Sequence, residues 1–310
     1  MIIKPYQESS LLKLLHCLNE RLELSSEWKQ QYLHLKKGHE GEQKLANLLK
    51  DLRTDCLILH NLLLEYHNAL FEIDVLLIFE NTIYLIEVKY YEGDYYIDSD
   101  IWYTLTKKEI HHPILQLNRC VSLFRRLLQQ YGVHLPVKEY ALFNHPEFTL
   151  YQADPKLPII LPTQINRFKK HLDKVNSKMN EKHLQLAKKL LADHMEKSPY
   201  QRLPDYSFEQ IRKGIMCTGC HSFTATSLIG RNIVCGHCGA KENFELAILR
   251  SVDEFKLVFP DKKITTHIIY EWCQVIAEKR IISRTLRKNF IVQGYGRHAY
   301  YTGKKNARSS

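Results

Sequence analysis

Two neighbouring apolar segments, 71–79 and 82–90, carry charged side chains at regular positions. The first reads Phe-Glu-Ile-Asp-Val-Leu-Leu-Ile-Phe and the second Thr-Ile-Tyr-Leu-Ile-Glu-Val-Lys-Tyr, and only Glu80 and Asn81 separate them. Because apolar residues occupy both alternating positions, the pattern predicts two strands of a sheet that is covered on both faces. A charge inside such a strand is costly unless it is paired or binds a ligand. The chain is therefore expected to fold around a buried sheet that contains a polar site.

A tight turn at Glu80 and Asn81 would give opposed residues numbers that sum to 161, which sets Asp74 opposite Glu87. The same register sets Glu72 opposite Lys89. Opposed residues of antiparallel strands have Cβ atoms roughly 4.5–5.5 Å apart, so two carboxylates can hold one cation there. Hard oxygen ligands with a partly hydrated shell suit Mg²⁺ or Mn²⁺.

The strand alternation also assigns the apolar neighbours to faces. Leu76 and Ile78 are expected on the carboxylate face, and Ile73, Val75 and Leu77 on the other. A solvated hairpin edge, held by a cross-strand ion pair, is the alternative to a cation site. Apolar residues on both faces favour the cation site, since two facing carboxylates in such surroundings repel each other and lose hydration.

The order of these residues, Asp74 and then Glu87-Val-Lys89, resembles the PD-(D/E)XK nucleases. Gly38-His-Glu-Gly-Glu42 opens a helical stretch before the first strand, and His112-Pro-Ile-Leu-Gln116 opens another after the hairpin. Together the segments resemble the nuclease-related domain (NERD) family over residues 37–165. His112 departs from the Asn that usually precedes the Pro in the family.

The resemblance implies a Mg²⁺- or Mn²⁺-dependent phosphodiester hydrolase and a role for each matching residue. Asp74 and Glu87 would bind the metal, and Lys89 would orient or activate the attacking water. Glu42 would reach the same cation or a second one, and Gln116 would contact substrate or a metal-bound water. Without the resemblance, Glu42 could instead offset a helix macrodipole, and Gln116 could face solvent.

A second motif, Cys217-Thr-Gly-Cys220, is followed after fourteen residues by Cys235-Gly-His-Cys238. Paired Cys-x-x-Cys turns at this spacing predict one structural Zn²⁺ bound by four thiolates in a zinc ribbon. Two redox dithiols are the alternative, but no strand-helix thioredoxin context surrounds either pair. Such a small segment also needs a staple, because its apolar core is minimal.

The remaining cysteines stand singly in apolar segments, as expected for buried thiols in a reducing compartment. The chain has no apolar run long enough for a membrane span and no secretory leader pattern at Met1-Ile-Ile-Lys. We therefore expect a cytoplasmic protein with no membrane partner. A protein partner is conceivable, but no sequence feature identifies one.

Positive charge is concentrated at the C-terminus, since residues 262–310 carry eleven Lys or Arg against two acidic residues, within a chain of net charge +10. Apolar periodicity predicts a helix from Ile264 and a second, basic helix with Ser283 as its N-cap. A hairpin around Gly294-Tyr-Gly296 follows. This order resembles a winged helix-turn-helix module, with DNA contacts predicted from one set of basic residues: Arg284, Arg287, Lys288 and Arg297. A helical cap with a solvated basic face is the alternative.

The predicted fold class is α/β, a restriction-endonuclease-like mixed sheet flanked by helices, with a Cys₄ zinc ribbon and a winged-helix-like C-terminal module. The predicted domains follow in chain order: an N-terminal helical segment at 1–37, the nuclease-like domain at 38–165, a helical connector at 166–210, the ribbon at 211–245 and the basic module at 246–310.

The function expected from these features is metal-dependent hydrolysis of DNA, with the ribbon and the basic module delivering the nuclease to its substrate. RNA is not excluded, since neither motif distinguishes the sugar. The alternative is a non-catalytic DNA-binding or regulatory protein that keeps the nuclease fold as a scaffold. Intact Asp74, Glu87 and Lys89 favour the enzyme.

Overall fold

The structure is a computed structural model that describes residues 1–223, 226–274 and 279–304, without the side chains of residues 226–228, 297 and 304. The chain forms two compact units, and each draws on two stretches of sequence. The first contains Met1–Glu8 and Leu33–Arg202, and the second contains Ser9–Tyr32 and Leu203–Ser310. The N-terminal segment predicted at 1–37 is therefore shared between the two units.

The first unit is built on a mixed sheet with a smaller sheet beside it. Its strands are β1 (Ile2–Lys4), β2 (Leu57–Tyr66), β3 (Ala69–Ile78), β4 (Ile83–Lys89), β5 (Gly93–Asp98), β6 (Ile101–Thr104), β7 (Val137–Phe143), β8 (Phe148–Tyr151) and β9 (Ile159–Ile160). The main sheet has the order β1-β2-β3-β4-β7-β9, and β6-β5-β8 form the smaller sheet. Antiparallel pairing joins β2, β3 and β4, while β1 with β2, β4 with β7 and β7 with β9 are parallel.

Helices cover both faces of the main sheet. In chain order the helices up to residue 192 are α1 (Ser10–Arg21), α2 (Ser26–Lys50), α3 (Pro113–Gln130), α4 (Ile165–Asp173) and α5 (Glu181–Ala192). One face packs against α3 and α5 through residues such as Leu117, Phe124 and Leu190. The opposite face packs against the C-terminal half of α2 and against α4. The predicted α/β fold with a mixed, helix-flanked sheet is confirmed.

The hairpin of β3 and β4 has the predicted register, with Val75 opposite Ile86 and Ile78 opposite Ile83. The face assigned to Ile73 is wrong, because Ile73 packs in the same cluster as Leu76 and Ile78. The faces of β3 exchange near Asp74. Asn61, which lies across from Asp74 on β2, has a left-handed backbone with φ of 49°. Leu59 and Leu62 of β2 likewise pack in one cluster, so the alternation of buried faces is interrupted in both strands at this point.

The second unit combines α1 with a small meander and a helical module. Its other elements are β10 (Thr226–Ile229), β11 (Asn232–Cys235), β12 (Lys241–Asn243), α6 (Phe244–Val258), α7 (Thr266–Cys273), α8 (Lys279–Asn289), β13 (Phe290–Gln293) and β14 (Tyr300–Lys304). β10, β11 and β12 are antiparallel neighbours, and β13 and β14 form a hairpin.

The core of the second unit joins α1 to the three C-terminal helices. Leu18 of α1 packs in one cluster with Phe255 and Trp272, which lie on α6 and α7. The buried Arg21 donates to Glu254 Oε2 at 2.6 Å and lies over the Trp272 ring, 4.1 Å from its centroid. The last turn of α1 is thereby fixed by both apolar and ionic contacts.

The predicted helix boundaries at the C-terminus need two corrections. The first helix begins at Thr266 rather than Ile264, because the Thr265 side chain accepts from the Ile268 N–H as an N-cap. Ser283 is not an N-cap but lies inside α8. The apolar face of that helix starts earlier than predicted, with Ile282 and Leu286 packed one turn apart in the core.

Candidate active site and zinc centre

Asp74 and Glu87 lie where the ladder between β3 and β4 ends. Glu87 is buried, and Asp74 is half-buried and accepts a hydrogen bond from the Val88 N–H at 2.6 Å. Burial, followed by the charges of Glu87 and Glu42, raises the pKa of Asp74 well above its usual range. Asp74 of β3 and Glu87 of β4 therefore repel each other in a poorly hydrated position, as the hairpin register predicts.

Lys89 and Gln116 close a triangle around one oxygen of Glu87. Lys89 Nζ donates to Glu87 Oε1 at 2.8 Å and to Gln116 Oε1 at 2.9 Å, and Gln116 Nε2 donates to Glu87 Oε1 at 2.6 Å. Burial opposes the charge of Lys89, but attraction and hydrogen bonding to Glu87 leave its pKa raised. The structure thus brings together two residues of β4 and one of α3.

Glu42 belongs to the same constellation, although it comes from α2. Its Oε2 accepts from Asn61 Nδ2 at 2.5 Å. Burial and the charges of Glu72 and Glu87 raise the pKa of Glu42 to about 7, while the hydrogen bond from Asn61 and the charge of Lys89 act in the opposite direction. A carboxyl with this pKa exchanges its proton near neutral pH.

The prediction that the Gly38–Glu42 segment opens a helix is wrong, because α2 begins at Ser26. Glu42 is therefore not at a helix N-terminus, and the macrodipole alternative fails. Gly41 has a packing role instead: a Cβ added there would lie 2.8 Å from the Cβ of Tyr90. Asn144 Nδ2 donates to the Gly41 carbonyl at 2.7 Å and fixes the helix at this approach.

His112 caps α3, as an Asn at its position would. It is the N-cap of α3, and its Nδ1 accepts from the Leu115 N–H at 3.3 Å. Pro113 occupies the first helical position, where its missing N–H costs nothing. The departure from the family pattern leaves the helix start intact, and Gln116 still reaches Glu87.

A cavity of about 300 Å³ adjoins these residues. Asp74, Glu87 and Gln116 form part of its wall, together with Glu72 from β3 and Arg119 from α3. An apolar part is contributed mainly by the strands β2 and β3. The carboxylates are therefore accessible to a ligand even though Glu87 itself is buried.

Residues 37–144 match the family described as the nuclease-related domain. The chain contains a nuclease-related domain. All five residues of the constellation (Glu42, Asp74, Glu87, Lys89 and Gln116) lie inside the matched range. No curated protein and no solved structure matches the chain. Within the described residues, no helix is both long enough and apolar enough to cross a membrane.

The donor set of the nuclease-related domain fits a hard divalent cation. Asp74 and Glu87 offer carboxylate oxygens beside the cavity, and the raised pKa of Asp74 reflects a negative charge that a cation would offset. These carboxylates are more widely spread than the cysteine ligands. Among the described residues, the cysteines alone form a group of three or more His, Cys, Asp or Glu side chains whose ligand atoms all lie within 4.8 Å.

That cysteine group, Cys217, Cys220, Cys235 and Cys238, fits a structural zinc ion. The Sγ atoms of Cys217 and Cys238 are 3.6 Å apart, and those of Cys220 and Cys235 are 3.7 Å apart. A tetrahedral Zn²⁺ with Zn–S bonds of about 2.3 Å requires sulfurs roughly 3.8 Å from one another. The spacing-based prediction of a Cys₄ centre agrees with this geometry.

Backbone amides support the thiolates of this centre. The Gly219 N–H donates to Cys217 Sγ at 3.3 Å, and the His237 N–H donates to Cys235 Sγ at 3.4 Å. Backbone N–H groups of Cys238 and His237 lower the pKa of Cys235 to about 5. The backbone of the second Cys-x-x-Cys turn thereby favours the deprotonated form of Cys235, which is the form that zinc binds.

The basic residues predicted to contact DNA are exposed where their side chains are described. Arg284, Arg287 and Lys288 lie on α8, and Lys288 Nζ pairs with Glu245 Oε1 at 2.8 Å. Arg297 lies in a short 3-10 turn between β13 and β14, and its side chain lies outside the described residues. Two helices and a hairpin follow α6 in the predicted order.

Sequence reasoning missed two asparagines that hold the nuclease-related domain together at the site. Asn61 binds Glu42, and Asn144 binds the Gly41 carbonyl while its own N–H donates to the Lys89 carbonyl at 3.2 Å. Each asparagine could have been noticed as a single polar residue within or directly after an apolar strand, Asn61 in Leu-His-Asn-Leu and Asn144 in Leu-Phe-Asn. Arg119, in the cavity wall, carried no signal beyond its spacing of one helical turn from Gln116.

Proposed function

We propose that this protein is a metal-dependent nuclease that hydrolyses phosphodiester bonds of DNA. The observation that carries the proposal is the placement of Asp74 and Glu87 beside one cavity, with Lys89 hydrogen-bonded to Glu87, inside a nuclease-related domain. Asp74 and Glu87 would hold Mg²⁺ or Mn²⁺, and the cation would neutralise the scissile phosphate and stabilise the departing oxygen.

Lys89 acts as a charged hydrogen-bond donor in this scheme. Its raised pKa keeps the ammonium protonated at neutral pH, so it orients a water or a phosphate oxygen rather than accepting a proton. Gln116 fixes the position of Glu87 through its amide and holds Lys89 through its carbonyl oxygen. Glu42, with a pKa raised to about 7, would accept a proton during the reaction.

Delivery to DNA is assigned to the second unit. The exposed cations of α8 provide phosphate contacts, which dominate affinity that is independent of sequence. Arg284 is the strongest candidate for such a contact because Lys288 already pairs with Glu245. The proposed zinc ribbon leads directly through β12 into α6. Glu245 of α6 pairs with Lys288 of the basic helix α8.

The decisive test incubates supercoiled plasmid with purified protein, with and without Mg²⁺ or Mn²⁺. Metal-dependent cleavage that Lys89→Ala abolishes is the expected result. Lys138→Ala is the matched control, since Lys138 is an exposed lysine on the adjacent strand β7 and is expected to retain activity.

The alternative function, a non-catalytic DNA-binding scaffold, predicts a different pattern. In that case the wild type and Lys89→Ala would bind DNA equally and would cut neither plasmid nor oligonucleotide with any divalent cation. Cleavage that is identical in wild type and Lys89→Ala would show that another site or a contaminant is responsible.

A further inference from the structure

The cavity beside Asp74 and Glu87 is larger than a cation requires. Its volume of about 300 Å³ is at the lower end of the range for pockets that enclose small organic ligands. One nucleotide unit can enter such a space, whereas an intact duplex cannot. A nucleotide enters a cavity of this kind only when its base is unpaired.

Arg119 gives the cavity a site for a phosphate. Among the ten lining residues it is the single cationic side chain, facing a wall that contains Glu72, Asp74 and Glu87. It forms no ion pair within 4.0 Å with another described residue, and its side chain is exposed. Guanidinium groups bind phosphate oxygens through two parallel hydrogen bonds. A cavity-lining arginine without an ion-pair partner among the described residues therefore offers a contact for a phosphate.

The position of Arg119 on α3 indicates where the phosphate that it binds would lie relative to the scissile phosphate. Arg119 follows Gln116 by one turn of α3, and Gln116 is hydrogen-bonded to Glu87. Three residues of an α-helix rise about 4.5 Å. Arg119 therefore lines the same cavity as Asp74 and Glu87 from a position one helical turn beyond Gln116, where its side chain can reach a neighbouring phosphate of the same strand.

The remaining wall suits a base. Leu63, Leu70 and Phe71 line the cavity from β2 and β3, and Leu63 and Phe71 are buried. Apolar and aromatic side chains hold unpaired bases by stacking and exclusion of water, with little dependence on base identity. The cavity thus combines a phosphate contact, an apolar wall and the candidate hydrolytic residues.

We infer that this cavity receives one unpaired nucleotide adjacent to the scissile phosphate, so the preferred substrate is single-stranded nucleic acid or a single-stranded end. The inference rests on the proposed nuclease function for its link to cleavage. The binding of a nucleotide does not depend on that function and is measured separately.

The binding test is titration of Lys89→Ala protein with deoxythymidine 5′-monophosphate in Ca²⁺, followed by calorimetry. One saturable site is expected, and adding Arg119→Ala weakens it by about tenfold or more, since one charged hydrogen-bonding partner is lost. Arg126→Ala is the control, because Arg126 is an exposed arginine of the same helix outside the cavity wall. Adding Arg119→Lys instead restores part of the affinity, since the charge remains.

The cleavage test compares one labelled sequence as a single strand, as a blunt duplex and as a duplex with a single-stranded end. The single-stranded forms are expected to be cut at least about tenfold faster than the blunt duplex, because unpairing costs a few kcal/mol. Arg119→Ala is expected to raise KM more than it lowers kcat, while Arg126→Ala changes neither.

The outcomes separate this inference from the proposed function. Equal cutting of blunt duplex and single strand, or identical nucleotide affinity in the Arg119→Ala and Arg126→Ala proteins, would overturn the cavity assignment while the nuclease proposal stands. Nucleotide binding that depends on Arg119, without cleavage of any substrate, would support the cavity as a nucleotide site and overturn the nuclease function.

Discussion

The cysteine cluster and the carboxylate cluster use negative charge in opposite ways. Four thiol ligands in the second unit converge within 4.8 Å, and backbone N–H groups reinforce them. The carboxylates of the first unit come from α2, β3 and β4, and Glu87 is already paired with Lys89. The first arrangement leaves no ligand position open, as structural zinc requires. The second adjoins a cavity and retains groups that can donate or accept protons.

The two clusters differ in whether their negative charges are expected to stabilise the folded chain once metal binds or to destabilise it without metal. Convergent thiolates make metal binding and folding one event. The carboxylate cluster retains electrostatic repulsion in the folded chain, as the raised pKa values of Glu42 and Asp74 show. A site that holds unfavourable charge gains most from a cation or a phosphate-bound metal. Four predictions test this contrast.

The largest effect is expected from Cys235→Ser. Structural Zn²⁺ contributes roughly 10–16 kcal/mol in isolated zinc fingers, so loss of one ligand should eliminate most bound zinc and unfold the ribbon. Elemental analysis measures the zinc, with one ion per chain expected in the wild type. His237→Ala is the control and should keep its zinc, because a closed Cys₄ centre needs no ligand from His237. A fully loaded Cys235→Ser protein would contradict a closed Cys₄ centre.

Asp74→Asn should separate activity from stability, unlike the cysteine substitution. Cleavage is expected to fall at least about 100-fold because a proposed metal ligand and its charge are lost. The unfolding free energy without added Mg²⁺ should rise by roughly 1 kcal/mol or more at pH 8, since the variant removes a charge whose burial is unfavourable. Urea unfolding and plasmid cleavage measure the two quantities.

Asp98→Asn is the control for that experiment, because Asp98 is exposed on β5. It should leave both the cleavage rate and the unfolding free energy unchanged. If Asp74→Asn instead lowered stability and activity together, the carboxylate would be a structural group like the cysteines.

The pH dependence of stability should follow the carboxylates. The folded chain raises the pKa of Glu42 from 4.5 to about 7, so it holds a proton more tightly than the unfolded chain does. This contribution is complete below the unfolded pKa and is lost as the pH rises through about 7, at a cost on the order of 3 kcal/mol. Urea unfolding at about pH 5 and pH 8 without added Mg²⁺ measures the loss.

A Glu42→Gln variant and added Mg²⁺ test whether Glu42 is the group responsible for the pH dependence of stability. Glu42→Gln should flatten the pH dependence, and Mg²⁺ should restore stability to the wild type at the higher pH, since it binds the ionised carboxylates. An equal slope in wild type and variant would show that Glu42 is not the titrating group.

The smallest effect is expected at the start of α3, the helix that carries Gln116, rather than at a proposed metal ligand. His112→Ala should cost about 1 kcal/mol because the N-cap acceptor of α3 is lost. His112→Asn should be nearly neutral, since the amide oxygen can accept from the same N–H. Thermal unfolding distinguishes the two variants. A larger loss with Asn than with Ala would show that the imidazole has a role beyond capping.

Local patterns located most of the candidate site. Period-two alternation and a two-residue turn were enough to bring Asp74 and Glu87 together, and the hairpin register is observed between Val75 and Ile86. The Cys-x-x-Cys spacing likewise predicted the zinc centre. Each of these depends on residues close in sequence, whose geometry follows from backbone periodicity.

Features that depend on distant parts of the chain were not predictable. The interrupted alternation at Ile73 coincides with a positive φ at Asn61 on the neighbouring strand β2, which a reading of the β3–β4 hairpin does not include. The helix was expected to start near Gly38, and Gly38 and Gly41 each cost about 1 kcal/mol in a helix interior. In the structure α2 continues through both, since Gly41 allows the close approach to Tyr90. Tertiary packing outweighs local propensity at that position.

The interleaved composition of the two units has a consequence for synthesis on the ribosome. The apolar face of α1, including Leu14 and Leu18, packs with residues from Ile211 onward. About 190 residues must be translated between them, which takes roughly 10–40 s at typical elongation rates. The first unit can therefore complete its fold while α1 still lacks its partners. During that interval the apolar face of α1 on a nascent chain lacks its native partners.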